Sequence, residues 1–437
     1  MDKKRREFLK QTGQAGLCLF GGRLLNGITS QTNAEGLPHP ISNKKAASVN
    51  ANTAIDQMDT SIIGQYGQWA ASLTEKNLPS LSFRNKSQAN LEAWRKAARG
   101  RVKERMAIPA LGGLPQVKIN KQYTYDGLHV EELSWQLPYG RPTEAILLKP
   151  QDQKEPLRGI LAFHDHSGDK YFGKQKITKT ADEQHPLMKE HQRDYYSGKA
   201  WANDLAKRGY VVLISDAFTF GSRRVQLQDV PEPLRNGLND NDPENPDHIN
   251  AYNQWAGNHE HTMAKSLFSA GTTWPGVFFA EDQKALDVLC ARKDVDTNRI
   301  GCGGLSGGGI RTVYMAGIDP RIKCAVPMGF MTTWKDFLLN KSFTHTWMTY
   351  VPLLPNELDF PEILGLRAPL PALVLNNNED TLFTLSEMKR ADAILSEVYK
   401  KAHGEDQYKC SYYPGPHKFD ANMQQEAFEW FDKWLKG

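Results

Sequence analysis

The sequence predicts an α/β protein in which a mostly parallel sheet of about eight strands is flanked by helices. Three observations support this class. Short apolar runs, such as 159–163 and 210–214, have the near-continuous hydrophobicity of strands buried on both faces. Segments with helical spacing, such as 277–292, separate many of these runs. A glycine-rich turn at 304–308 lies between one such run and one such segment.

The amino-acid composition and the net charge say little about binding partners. The 437 residues are 40% hydrophobic, which is a globular composition, and carry a net charge of +4. Residues 1–23 hold six basic and two acidic side chains, so this segment accounts for the whole excess. Residues 24–437 are formally neutral, so charge gives no reason to expect a nucleic acid or an anionic membrane as partner.

Residues 1–34 resemble a twin-arginine export signal. The sequence RREFLK at 5–10 matches the pattern R-R-x-F-L-K, and a weakly apolar stretch follows at 13–25. That stretch is short and interrupted by Arg23, so no stable membrane span is expected. We expect transient contact with the twin-arginine export machinery and a periplasmic or secreted location. The alternative is an amphipathic basic helix on a cytoplasmic protein.

The remaining elements follow in order. Residues 35–115 are predicted to form a linker and a helical extension, whose apolar positions should dock on the main domain because an isolated helix is marginal. The main domain, 116–437, opens with alternating strands that suggest an antiparallel start to the sheet. Strands are predicted at 129–135, 143–148, 159–163, 210–214, 300–303, 322–328, 371–375 and 408–412, and helices at 91–98, 200–208, 277–292, 310–317, 385–402 and 422–436.

Two inserts, at about 219–262 and 331–366, interrupt this rhythm and are predicted to be irregular. Both leave the carboxyl side of the sheet, where ligands bind in such folds, so they are expected to set substrate choice. Trp274, Trp334 and Trp347 flank or lie in the inserts. Their rings could stack on sugars, although core packing is the commoner explanation and is preferred for Trp274.

Ser306 is the predicted nucleophile. It lies in the sequence Gly-Leu-Ser-Gly-Gly at 304–308, after the predicted strand and before the helix. A strand, G-x-S-x-G and a helix in succession are typical of a nucleophile elbow, which exposes the serine hydroxyl at the end of the sheet. The alternative is a glycine-rich turn in which Ser306 only caps the next helix.

A serine hydroxyl needs a base, and the base needs an orienting acid. Asp380 follows the predicted strand 371–375, where the acid is expected, and Glu379 is its neighbour and rival. Asp380 could instead be a helix cap. His417 follows the last predicted strand and is the candidate base, with an exposed loop histidine as the alternative. The order serine, acid, histidine is the one expected for this type of elbow.

The oxyanion formed on attack needs two N–H donors. The backbone amides of Gly307 and His166 are predicted to supply them, the second from the loop His-Asp-His-Ser-Gly at 164–168. The histidines of this loop also suggest a metal, with His259 and His261 in the first insert, but no spaced ligand set is visible, so neither a metal nor a cofactor is predicted. Asp216, after another strand, could shape the rim or merely fix a loop.

Four cysteines follow the signal segment, and they stand in apolar contexts without a C-x-x-C pair. They are predicted to be small core residues, and their spacing indicates no disulfide even if the protein is exported. They are Cys290, Cys302, Cys324 and Cys410.

Together these motifs resemble the α/β-hydrolase superfamily, in particular its dienelactone-hydrolase and acetyl-xylan-esterase-like members. The resemblance covers about 116–437 and implies the α/β-hydrolase fold, with Ser306 as nucleophile, His417 as base and Asp380 as orienting acid. It also implies removal of acetyl or related acyl groups from carbohydrate esters through an acyl-enzyme. One departure is Asp165, where relatives often have glycine; a carboxylate there opposes catalysis unless it points away. The matching stretches are 163–168, 285–287, 296–301, 304–308, 378–383 and 416–417.

Two rival functions remain at this level. A serine peptidase of the prolyl-oligopeptidase type has a similar elbow, but the roughly 115 residues before the main domain are too few and too helical for its β-propeller. A catalytically silent binding protein could use the same fold, since fold alone does not establish activity.

Overall fold

A nine-stranded sheet forms the centre of the protein in the computed structural model, which describes residues 61–74, 77–152 and 155–436. The predicted export signal and most of the linker lie outside these residues. The strands stand in the order β1-β2-β3-β5-β4-β6-β7-β8-β9. They are β1 (Val117–Tyr125), β2 (Leu128–Trp135), β3 (Thr143–Pro150), β4 (Leu157–Phe163), β5 (Tyr210–Ser215), β6 (Val295–Leu305), β7 (Ile322–Met328), β8 (Ala372–Asn377) and β9 (Tyr408–Tyr413).

The sheet is mixed at one side and parallel over the rest. β1, β2, β3 and β5 pair antiparallel in succession, whereas β5, β4, β6, β7, β8 and β9 pair parallel. The carboxyl ends of the parallel strands therefore meet at one edge, which is where ligands bind in open α/β sheets. This arrangement confirms the predicted fold class.

Helices cover both faces of the sheet, and several begin with the side-chain caps that their sequences provide. Asn245 accepts a hydrogen bond from the first turn of its helix, and Thr273 and Asp420 do the same in theirs. The helices are α1 (Tyr66–Ser72), α2 (Leu91–Met106), α3 (Pro186–Tyr196), α4 (Trp201–Lys207), α5 (Pro246–Ser269), α6 (Trp274–Cys290), α7 (Gly307–Ile318), α8 (Trp334–Asp336), α9 (Phe360–Gly365), α10 (Leu385–Lys401) and α11 (Ala421–Leu435).

Two hydrophobic cores lie on opposite faces of the sheet. One contains side chains of α2, α6, α7, α9 and α10, and the other contains side chains of α3, α4 and α11. The N-terminal helix α2 contributes Trp94, Ala98, Val102 and Met106 to the first core, each at most 2% exposed. The helical extension is thus part of the main core, and its burial explains why the helix is stable.

Two details differ from the sequence-based expectations. β1 makes a ninth strand beyond the eight expected; its side chains are almost all exposed at the sheet edge, so it lacks an apolar pattern. The inserts are only partly irregular: residues 219–245 of the first hold isolated 3-10 turns, but α5 begins at Pro246, and short helical turns, including α8 and α9, occupy much of the second. Pro246 at the first helical position and the Asn245 cap were the local signals for α5.

No helix in the described part of the chain is long and apolar enough to cross a membrane. Among the described cysteines, all four are free; Cys302 and Cys324 are buried, whereas Cys290 and Cys410 are half-buried.

Candidate active site

Ser306 lies at a sharp turn between β6 and α7. Its backbone has φ 56° and ψ −114°, a conformation that L-residues rarely adopt. The Ser306 N–H donates to the carbonyl of Met328 on β7 at 2.8 Å, which holds the turn against the neighbouring strand. Gly304 and Gly308 pass so close to Phe163 on β4 that a methyl group on either would collide with its carbonyl oxygen. The Ser306 side chain makes no helix-cap hydrogen bond, so the capping alternative does not describe this turn.

Asp380 and His417 form a buried pair after β8 and β9. Asp380 Oδ2 lies 2.6 Å from His417 Nδ1, and its Oδ1 accepts the Leu382 N–H at 2.9 Å. The Asp380 side chain is 1% exposed. Glu379, the rival acid, is exposed and accepts the Gly415 N–H at 3.2 Å instead. The geometry therefore brings His417 to Asp380 and leaves Glu379 outside the pair.

The His417 ring lies beside the elbow. A methyl group on Gly329 would be 2.8 Å from His417 Cε1, and Gly329 directly follows Met328, whose carbonyl holds Ser306. His417 Nε2 is buried and has no hydrogen-bond partner among the described residues. Burial alone lowers the pKa of His417, but the charge and hydrogen bond of Asp380 outweigh it and raise the pKa above its usual value.

The loop after β4 brings His166 to the residue that follows the candidate nucleophile. A methyl group on Gly307 would lie 2.8 Å from the His166 backbone nitrogen. The His166 backbone nitrogen thus lies beside Gly307, the residue that follows Ser306. Two adjacent backbone donors at this position have the composition of an oxyanion site.

The Asp165 carboxylate is held in a buried polar cluster by groups on neighbouring elements. It bonds to His191 Nε2 at 3.0 Å and to the Tyr196 hydroxyl, and Lys176 Nζ lies 3.6 Å away. Burial raises the pKa of Asp165, but His191 and Lys176 oppose this and hold the pKa well below its usual value. The carboxylate is thus engaged by three groups, so its presence does not exclude His166 as a donor.

The side chains of His164 and His166 are also fixed by neighbours. His164 Nδ1 lies 3.0 Å from the Asp165 carbonyl, and its Nε2 accepts the Ala217 N–H at 3.1 Å. Burial lowers the pKa of His164 to about 3. His166 Nε2 lies 2.8 Å from Glu260 on α5, and burial followed by the charge of Lys170 lowers the pKa of His166. The two side chains are thus engaged by other groups, and the His166 backbone nitrogen is the atom that lies beside Gly307.

The other histidines considered as metal ligands lie apart. His259 stacks on Trp255 with ring centroids 4.6 Å apart, and His261 Nδ1 accepts the Trp347 indole N–H at 2.9 Å. In the described part of the chain, no three His, Cys, Asp or Glu side chains cluster as a metal ion would require.

Asp216 fixes loops at this edge of the sheet. Its carboxylate accepts the Lys174 N–H at 2.7 Å and the Ser222 N–H at 2.8 Å, and it bonds to the Lys174 ammonium at 2.8 Å. Methyl groups on Gly173 or Gly221 would collide with this carboxylate. Asp216 therefore acts in this structure as the loop anchor that was one of the two expectations.

The three tryptophans differ in their surroundings. Trp274 is 2% exposed and packs against Phe218, as the core expectation predicted. Trp334 is 9% exposed and donates to the Leu358 carbonyl at 3.0 Å. Trp347 is half-buried and joins the two inserts through its bond to His261.

A small pocket lies between α5 and the start of α6. Lys170 belongs to its wall, and the Lys170 ammonium lies 2.7 Å from Glu260, which in turn holds His166. The first insert therefore builds the wall beside the loop after β4. The pocket is lined by Lys170, Thr219, Val225, Tyr252, Trp255, Ala256, His259, Met263 and Trp274.

Several buried polar residues around the loop at 164–168 were not predicted from the sequence, and three of them are lysines. Lys170, Lys174 and Lys176 are 1%, 6% and 0% exposed, respectively. Lysine is almost never fully buried unless it is paired, so the sequence alone gives no reason to expect these three side chains to be buried. What they share in the sequence is that they follow the loop at 164–168 at short spacing.

No family model matches the chain. "Putative hydrolase YtaP" of Bacillus subtilis (strain 168) is 25% identical over 307 residues, which is 70% of this chain and 88% of that protein. The crystal structure of "a putative acetyl xylan esterase" from Bacteroides fragilis NCTC 9343 matches with a TM-score of 0.57 at 17% identity, over 79% of this chain and 81% of that one. A glucuronoyl esterase from Solibacter usitatus matches with a TM-score of 0.55 at 14% identity, over 83% and 98%. With this strand order, this elbow and these structural neighbours, the chain has the α/β-hydrolase fold.

Proposed function

We propose that this protein is a serine hydrolase that cleaves carboxylic esters, with acyl groups on carbohydrates as its substrates. The observation that carries the proposal is the strained Ser306 turn beside a buried Asp380–His417 pair. Strain of this kind persists where the surrounding structure supports it, and such positions cluster at functional sites. A serine, an acid and a histidine in this arrangement are the parts that acyl transfer needs.

The mechanism follows from which nitrogen of His417 is engaged. Asp380 holds Nδ1, so Nε2 is left to take the proton of Ser306 as its oxygen attacks the ester carbonyl. The amides of Gly307 and His166 donate to the oxygen that gains negative charge. The intermediate collapses to an acyl-enzyme, and His417 gives the proton to the departing alcohol. Water then attacks the acyl-enzyme while His417 takes its proton; the bond between the acyl group and Ser306 breaks, and His417 returns the proton to the serine oxygen as the acid leaves.

The carbohydrate part of the proposal draws on what the fold neighbours are named for. The proteins described above are named as an acetyl xylan esterase and a glucuronoyl esterase, and another neighbour is a methylesterase with a TM-score of 0.54 at 17% identity. All three names denote ester cleavage. The reaction as written uses only side chains, backbone amides and water, so it requires no cofactor.

A fluorophosphonate probe tests the core of the proposal. Wild-type protein should be labelled covalently, and Ser306→Ala should not be. Wild-type protein that has not been treated with the probe should also release acetate from acetylated xylo-oligosaccharides, and Ser306→Ala should not. Absence of labelling in folded wild-type protein would exclude both an esterase and a peptidase that act through Ser306.

Two alternatives predict different results in the same assays. A serine peptidase would cleave short peptide amides faster than acetylated sugars. The described residues ahead of β1 form α1, α2 and connecting turns. A catalytically silent binding protein would not react with the probe, and it would bind the acetylated sugars without cleaving them.

We also propose that residues 1–34 direct export by the twin-arginine route, which carries folded proteins. Arg5 and Arg6 within RREFLK support this. Replacing both by lysine should retain the protein in the cytoplasm of a host that has this export route. Unchanged export of that variant would contradict the proposal.

A further inference from the structure

Lys176 is a fully buried ammonium group behind the loop that carries His166. Its Nζ donates to the carbonyl oxygens of Asp165 and His166, each at 3.0 Å, and to the Ser167 hydroxyl at 3.3 Å. A buried charge is costly unless hydrogen bonds satisfy it. The loop and the lysine therefore fix each other in this position.

The position of the first of these bonds has a direct consequence for the His166 amide. The Asp165 carbonyl and the His166 N–H belong to the same peptide unit, which is planar, with its oxygen and hydrogen on opposite sides. The oxygen accepts from Lys176 and also lies 3.0 Å from His164 Nδ1, and these two contacts fix the N–H on the far side, where the His166 nitrogen lies beside Gly307. A cation on a carbonyl oxygen also polarises the peptide, which makes its N–H a stronger donor.

We propose that Lys176 is a positioning residue for the oxyanion site: its ammonium group holds and polarises the Asp165–His166 peptide so that the His166 N–H faces the developing oxyanion. This rests on the ester-hydrolase function proposed above. Lys176 touches neither substrate nor Ser306 in this role, and it acts through the peptide bond alone.

A simpler role would be to neutralise the Asp165 carboxylate, but the contacts favour the peptide. The ammonium lies 3.6 Å from that carboxylate, farther than the 3.0 Å to each carbonyl. The carboxylate has His191 and Tyr196 as its own closer partners. Charge balance is thus shared among several groups, whereas the Asp165 carbonyl has Lys176 as its charged partner.

The test compares two methionine variants of the same 3-10 turn, Lys174–Lys176. Lys176→Met keeps the length of the stem and removes the charge. Lys174→Met does the same to a buried lysine whose ammonium bonds to Asp216 and Glu144. With p-nitrophenyl acetate as probe, Lys176→Met should lower kcat by about 10- to 100-fold, less than the 10²–10³-fold loss of an entire donor. Lys174→Met should retain the wild-type kcat.

A further readout separates positioning from general damage. In Lys176→Met, KM should stay at its wild-type value while kcat falls, because the lysine acts on the oxyanion donor and not on the bound ester. A matching rise in KM, or an equal kcat loss in both methionine variants, would overturn the proposal. If Lys176→Met does not fold by circular dichroism, Lys176→Gln takes its place in the same comparison.

The double variant Asp165→Asn/Lys176→Met tests the charge-balance role directly. Under the proposal it stays as slow as Lys176→Met, because the Asp165 carbonyl keeps only His164 Nδ1 and still lacks the charged partner that polarises it. Recovery of the wild-type kcat would show that Lys176 only neutralises Asp165. Failure of the proposed function is distinguishable, because wild-type protein would then be inactive and unlabelled by fluorophosphonate.

Discussion

At the scale of single residues, burial and hydrogen bonds decide which side chains of the site can act on His417. Asp380 is buried and donates nothing; it accepts from a backbone amide and holds His417 at Nδ1. Its neighbour Glu379 has the same charge but stands in solvent. The sequence order and the ends of strands were sufficient to predict Ser306, Asp380 and His417 as candidates, because the carboxyl ends of parallel strands meet at the same edge of the sheet.

Asp380→Asn should lower kcat about 10³–10⁴-fold, because the neutral amide no longer fixes the His417 tautomer or stabilises its cation. Since Asp380 raises the pKa of His417, its removal should also move the acid limb of the pH–rate profile to lower pH. Glu379→Gln is the matched control and should keep near-wild-type kcat and midpoint. Equal effects of the two changes would contradict the assignment of Asp380 as the acid. Steady-state kinetics between pH 5 and 9 would measure both.

Other residues of the site could not be predicted from the sequence because their role depends on burial. Lys176 and Lys170 look like ordinary surface lysines in the chain, and only the fold shows that they face carbonyls and carboxylates. Glu260 was unmarked for the same reason, since α5 carries it to His166 across a long separation. The close contact between two backbone segments that are distant in sequence, such as the one between His166 and Gly307, is likewise visible only in the folded structure.

At the scale of elements, the elbow depends on close contact between β4 and the start of α7. Gly308 lies where a side chain would meet the Phe163 carbonyl, and β4 is the central strand that carries the loop to His166. The G-x-S-x-G pattern predicted this turn because only glycine allows such an approach. The periodicity of apolar residues did not predict β1, whose side chains are almost all exposed. It also did not predict α5, whose sequence mixes polar and aromatic residues.

Gly308→Ala should therefore destabilise the protein and displace Ser306, because its methyl group meets rigid backbone rather than a mobile side chain. Gly100→Ala is the matched control: Gly100 lies within α2, and a methyl group there would meet nothing within 4 Å. That change should stabilise the protein by up to about 1 kcal/mol, since alanine favours a helix over glycine. Urea unfolding and fluorophosphonate labelling rates would measure both variants. Wild-type labelling and stability in Gly308→Ala would contradict the packing described for the elbow.

At the scale of the whole molecule, the N-terminal extension is tied to the domain that carries the site. Trp94 stacks on Phe83 with centroids 4.4 Å apart and is 2% exposed. Arg99 on α2 donates to the Gly317 carbonyl at the end of α7 at 2.8 Å, and Arg105 lies 2.6 Å from Glu357 in the second insert. The extension thus supports both the helix behind Ser306 and one of the inserts.

Trp94→Ala should lower the free energy of unfolding by about 3–5 kcal/mol, the usual cost of removing a buried tryptophan. We expect the main urea transition to move to lower urea as a whole, with kcat of the folded protein unchanged at 25 °C. Trp69→Ala, on the exposed face of α1, should change stability by less than about 0.5 kcal/mol. A separate early transition in Trp94→Ala, with the main one unmoved, would show that the extension unfolds independently.

Acid should destabilise the folded protein through imidazoles that it keeps neutral. Burial lowers the pKa of His164 to about 3 and that of His345, among Phe330, Phe337 and Phe383, to about 4. Above about pH 6.5 both groups are neutral in the folded and unfolded chains, so neither costs stability. Below that pH the unfolded chain binds a proton at each of these histidines and the folded chain does not. The free energy of unfolding therefore falls by about 1.4 kcal/mol per pH unit for each group.

His345→Asn should therefore reduce the slope of the unfolding free energy between pH 6 and pH 5 by about 1.4 kcal/mol per unit, because it removes one group that binds a proton only in the unfolded chain. Asparagine can still donate to the Lys341 carbonyl, which lies 3.1 Å from His345 Nδ1, so the fold should persist. His403→Asn is the control: His403 is exposed and has φ 55°, a conformation that asparagine tolerates, so the slope should stay as in the wild type. Urea unfolding at pH 7, 6 and 5 would measure all three proteins. An unchanged slope in His345→Asn would mean that the folded protein takes up a proton at His345 as readily as the unfolded chain does.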